Sequence, residues 1–135
     1  MEDEFAGKDR EDFLDLTLLT YEAVRSVLKM LPVAIAMPKL QVEDAKSVSA
    51  ACEALRRARD ELIDVQPIPA TLAALITEGA LEALQCLLMV THTEGRDLPG
   101  WHAELWFRST NRAKIMCIRS EIALTAIKEE TNRLE

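Results

Sequence analysis

Apolar residues recur at three- and four-residue steps along four stretches of this chain, and nowhere sustain the two-residue alternation of a strand. From Arg10 to Leu31, the positions Leu16, Leu19, Ala23, Val27 and Met30 fall on one helical face. Phe13, Leu14, Leu18, Val24, Leu28 and Leu31 widen that stripe, so the first helix is expected to be covered on two sides. Asp12 and Asp15 lie near its start, the end at which the helix dipole favours negative charge. Pro32 stops it, because proline has no amide proton to continue the ladder. A second helix is expected from Val42 to Val65, with Val48, Cys52, Leu55 and Leu62 inward and Pro67 and Pro69 beyond its end.

The third helix, Ala70 to Thr91, departs from this two-sided pattern. Between Gln66 and His92 the only charged residues are Glu78 and Glu82. A helix this apolar needs cover on most sides, from sister helices or from a second subunit. Gly79, Ala80 and Ala83 form a small-residue stretch where a neighbour can come close, or where the helix can kink. The fourth helix opens at Gly100 or Trp101 and runs to the end. Its roughly 34 residues span about 50 Å, against ~33 Å for a 22-residue neighbour. Ile115, Ile118, Ile122 and Ala126, with Met116, Ala123 and Ile127, read as its apolar stripe, and its overhang as a surface for another copy.

Between the first two helices, Val33-Ala34-Ile35-Ala36-Met37 is a wholly apolar link, expected to plug the core. The residues 94–100 hold two glycines and a proline and form the clearest turn. Short links favour antiparallel neighbours. The expectation is therefore an all-α, up-down-up-down four-helix bundle with an overlong C-terminal helix. It occupies 10–135 behind an acidic, flexible leader over 1–9.

Composition sharpens this picture in a few places. The 135 residues are 49% hydrophobic but only 4% aromatic, so the core must be built from aliphatic side chains and alanine. The net charge of -7 is uneven: residues 1–15 hold seven acidic and two basic side chains. Such an acidic balance makes nucleic acid an unfavoured partner. Cys52, Cys86 and Cys117 show no paired spacing, and no secretory signal or uninterrupted 18-residue apolar run is seen. A cytoplasmic protein without a membrane partner is expected.

Motifs that name a reaction are missing. There is no Glu-x-x-His, His-Glu-x-x-His, phosphate-cradling Gly-rich loop or Gly-x-Ser-x-Gly elbow, so no catalytic residue and no cofactor is assigned. His92 and His102 flank the turn, and with Glu94, Asp97 and Glu104 they are the weak alternative for a metal site. Arg108, Arg112 and Arg119 share one helical face, and residues 101–119 carry four basic side chains against one acidic. Trp101, Trp106 and Phe107 supply half of all aromatics. Aromatic residues beside arginine are enriched at interface hot spots. These six are the candidate partner-binding residues of a non-enzymatic interaction module: an adaptor, inhibitor, assembly factor or regulator, expected as a homodimer. The alternative is a ligand-binding or enzymatic bundle in which Arg56, Arg59, Arg108 and Arg112 grip an anion between the second and fourth helices.

Overall fold

The computed structural model describes the backbone of residues 2–93 and 100–134, and side chains within 11–91 and 103–134. Four helices make up the described residues, with no strand: α1 Glu2–Lys29, α2 Ala45–Asp64, α3 Ala70–Thr93 and α4 Gly100–Leu134. The all-α four-helix fold and the overlong last helix therefore stand. α1 begins at Glu2, so the acidic segment is continuous with the first helix. Asp44 caps α2 by accepting from the Lys46 amide at 3.0 Å.

Direction does not alternate throughout. The link after α1 is an extended ribbon that doubles back along the helix it has just left. The Ile35 amide donates to the Leu28 carbonyl at 3.0 Å, the Tyr21 hydroxyl to the Pro38 carbonyl at 2.6 Å, and Arg25 Nε to the Met37 carbonyl at 3.1 Å. At its start, the side-chain amide of Gln66 grips Val33, accepting from its N–H at 3.1 Å and donating to its carbonyl. Gln66 follows α2, so the end of α2 lies beside the end of α1. α2 thus runs parallel to α1, with the ribbon wedged between them. α3 returns antiparallel and α4 runs up again.

A long return was hidden from the sequence because the link contains no strand alternation in its residue types. In the folded chain it behaves as half-buried extended backbone nonetheless. Ile35 and Met37 point into the core at a two-residue step, while Ala34, Ala36 and Pro38 face out. Side chains of α1 and α2 satisfy its backbone, as a neighbouring strand would.

α3 lies at the centre, packed against each of the other three helices. Ala80, Ala83 and Leu87 are buried within it. Ala70–Thr91 is long and apolar enough to cross a membrane by length and composition, and its central position gives that apolarity a local cause. Leu81 remains 41% exposed on the stripe no helix covers. A Cβ added to Gly79 would sit 3.6 Å from Met116 Cβ, in ordinary contact. The glycine marks the close approach of α4, and no steric requirement keeps it there.

Two measurements check this arrangement. Gly79→Ala should leave stability unchanged or raise it by up to ~1 kcal/mol in urea denaturation, since the methyl has room and alanine favours helix. Burial pushes the Tyr21 hydroxyl up to about 12, with Arg25 opposing and Glu22 adding. The unfolded chain deprotonates near 10, so Tyr21's contribution is intact below that pH. It should be lost as pH climbs from 10 towards 12, and Tyr21→Phe should flatten that part of the profile.

Candidate functional site

α4 presents two apolar faces. Toward the core it turns Trp106, Met116 and Leu124 together with small or polar groups, Ser109, Thr110, Ala113, Cys117 and Ser120, all buried. Their hydroxyls are satisfied locally, with Thr110 bonding the Phe107 carbonyl at 3.0 Å and Ser120 the Met116 carbonyl at 2.7 Å. Toward solvent it turns Ile115, Ile118 and Ile122, exposed by 45%, 48% and 66%. The expected stripe is divided: Ile115, Ile118, Ile122 and Ala126 face solvent, while Met116 is buried and Ala123 and Ile127 pack partly buried against the core. Beyond Ile127 every described residue to Leu134 is exposed, and Lys128, Thr131 and Asn132 still border a groove of about 340 Å³ with Lys29, Met30 and Pro32.

The aromatic cluster divides between the two faces. Trp106 is fully buried. Its ring stacks on Phe13 at 4.5 Å and 16°, and its indole N–H donates to Thr17 Oγ1 at 2.8 Å. It anchors α4 to α1 and offers nothing to a partner, which corrects its place among the candidate binding residues. Phe107, one position on and about 100° around the helix, is 52% exposed and meets Phe13 only edge-on at 5.1 Å. It borders a groove of about 520 Å³ between α1 and α4, with Leu16, Leu19 and Ala23 on the opposite wall and Lys114 at its edge. Leu19, 66% exposed, was expected inward.

The arginines separate in a similar way. Arg108, Arg112 and Arg119 are all exposed along one flank of the isoleucine stripe. Arg112 reaches Glu82 of α3 at 3.7 Å. Arg56 lines a second groove, of about 670 Å³, among Leu14, Val48, Cys52, Leu88 and the carboxylates Glu43 and Glu53. Arg59 lies 3.7 Å from Asp60 on its own helix. α2 and α4 flank α3 from opposite sides and make no contact with each other. The structure therefore does not assemble Arg56 and Arg59 with Arg108 and Arg112. The side chains of Trp101, His92 and His102 lie outside the described residues, as do Glu94 and Asp97, so the turn-based metal alternative falls there too. Among the described residues, no three His, Cys, Asp or Glu side chains gather in a way that could hold a metal ion.

All three cysteines are free and buried. Burial pushes the Cys86 thiol up to about 12 and the Cys117 thiol up to about 11, with Glu82 and Glu121 adding, and raises Cys52 as well. None has the electropositive, accessible setting of a nucleophile.

No family model matches the chain, and no curated protein or solved structure matches it either.

The contrast between the faces of α4 is measurable. Trp106→Ala should cost about 3–5 kcal/mol in chemical denaturation. Ile118→Ser and Ile122→Ser should each change stability by no more than about 0.5 kcal/mol, the range of surface substitutions. The three thiols should react with a disulfide reagent only after denaturant is added.

Proposed function

We propose that this chain is a non-enzymatic protein-interaction module whose recognition surface is the outer face of α4 with the adjoining edge of α1. One observation carries the reading: although Trp106, Met116 and Leu124 already fill the core side of α4, its solvent side carries a further row of large apolar side chains, Phe107, Ile115, Ile118 and Ile122. Water contact with Ile115, Ile118, Ile122, Phe107 and Leu19 is unfavourable by roughly 25 cal/mol per Å² of apolar surface. A covering partner removes that cost. The groove between Leu19 and Phe107 suits the apolar ridge of a helix, a recurring recognition geometry.

Charge around the stripe supports selectivity in the same reading. Arg108, Arg112 and Arg119 border it on the side away from α1, while Asp12, Asp15 and Glu22 lie on α1. A partner meets opposite charges on two edges, which fixes its orientation and disfavours wrong partners. The absence of catalytic spacing in the sequence, and the high thiol pKa values, weigh in the same direction. Three unpaired thiols also suit the reducing cytoplasm included in this proposal.

The experiment compares wild type with Ile118→Glu/Ile122→Glu in affinity capture from native lysate. The double variant should keep its circular dichroism spectrum, since both side chains project into solvent. It should also lose the proteins that wild type retains. Equal capture by both would remove this face from the function.

A further inference from the structure

Resting on that reading of the surface, we infer that the occupant of the α1/α4 face is a second copy of this chain. The two copies are related by a two-fold axis parallel to the helices, so that α1 of each protomer lies on α4 of the other. The inference begins with register. Phe13 and Thr17 both meet Trp106, so the level of residue 15 on α1 matches residue 106 on α4, and the two helices run in parallel. Residue 22 is then level with about residue 113.

An axis parallel to the helices preserves height and exchanges left for right. It sets Asp15 of one copy opposite the Arg108 level of the other; Glu22, held by Arg25 of its own helix at 3.1 Å, comes opposite the Arg112 level. Across the whole face, the exposed edge of α1 carries Glu11, Asp12 and Asp15 against Lys29. The exposed edge of α4 carries Arg108, Arg112, Lys114 and Arg119 against Glu104. Acidic edge thus meets basic edge twice in one symmetric interface. An axis across the helices would instead lay α1 on α1 and α4 on α4 in reversed order, which sets Glu11 and Asp15 near Lys29 and Arg25 but stacks the Arg108, Arg112 and Lys114 segment of α4 on its own copy. The parallel axis is the arrangement that sets the whole acidic edge against the whole basic one.

Shape and size agree with it. The two grooves of about 520 Å³ face each other across the axis, so that Leu19 and Phe107 from both copies close on a shared apolar seam. Ile118 and Ile122 continue that seam along α4. Two helices side by side, each about 10 Å wide and in register over about 30 Å, offer ~600 Å² per copy. The total of ~1,200 Å² reaches the lower bound of stable specific interfaces. A dimer of that size exchanges with monomer over an accessible concentration range.

Light scattering and sedimentation across a dilution series of the full chain test this directly. Wild type should move from dimer to monomer on dilution. Asp15→Lys alone and Arg108→Glu alone should each weaken dimerisation by about tenfold or more, and combining them in one chain should restore it. Ile118→Glu should abolish the dimer with an unchanged circular dichroism spectrum. Failure of the double charge reversal to restore association overturns the parallel arrangement. A wild type that is monomeric at every concentration overturns the second copy as occupant. A monomer that still captures a protein dependent on Ile118 and Ile122 leaves the interaction reading standing while removing this one.

Discussion

The close contact between α3 and α4 determines most of what this molecule offers to its surroundings. α3 brings Gly79, Ala83 and Cys86 to it, and α4 brings Ser109, Ala113, Cys117 and Ser120. Small side chains let the helices approach, so burial there comes from backbone proximity as much as from bulky side chains. A helix with two apolar faces can satisfy only one against its own core, and here the face with Trp106, Ala113, Met116 and Leu124 takes that place. Ile115, Ile118 and Ile122 are left to the outside.

A second constraint comes from α1. It must serve α3, α4 and the ribbon at once, and it does so by chemical division around its circumference. Phe13 and Thr17 receive Trp106, one by stacking and one by hydrogen bond. Tyr21 and Arg25 hold the ribbon through backbone carbonyls. That ribbon keeps α1 and α2 out of contact with each other, and it opens a wedge at the far end, where Leu14, Val42 and Cys52 line the larger groove. The remaining side of α1 is given to Leu19 and to acids. The exposed apolar face is thus what is left when the internal obligations of α1 and α4 have been met.

Helix number and order were legible in the sequence because proline and periodicity are local signals, whereas the start of α1 at Glu2 was not, since the acidic run before Arg10 carries no apolar stripe. Pro32, Pro67 and the turn at 94–100 set three boundaries, and α3 could be recognised as the central helix from its lack of charge alone. Helix direction was not legible, because it depends on a ribbon whose apolar run resembles a core plug and whose hydrogen bonds come from distant residues, Tyr21 and Gln66. The stripe of α4 was read as one face for a different reason. Apolar residues almost surround this helix, so periodicity alone does not separate Met116, Ala123 and Ile127, which lie toward the core, from Ile115, Ile118 and Ile122, which do not. Trp106 and Phe107 illustrate the limit well: adjacent and both aromatic, they were placed on different faces by the helical turn, but only the Phe13 and Thr17 contacts decide which one is inside.

Those same contacts bear on specificity. Because Trp106 locks α4 against α1 at one height, the acidic residues of α1 and the arginines of α4 hold a fixed register across the groove. A loosely packed pair of helices would present the same residues at shifting heights, and opposite charges at two edges would then select nothing. In the proposed interaction role, fixed register is what would give this apolar face a preferred direction of approach. Arg112 shows how the internal and external roles are balanced. Its pair with Glu82 at 3.7 Å is long and 60% exposed on the arginine side, so it orients the guanidinium while contributing little to stability. The charge stays available to a carboxylate arriving from outside. Core packing in this protein therefore does more than hold the fold together, since the anchor at Trp106 is also what gives the outer face its polarity.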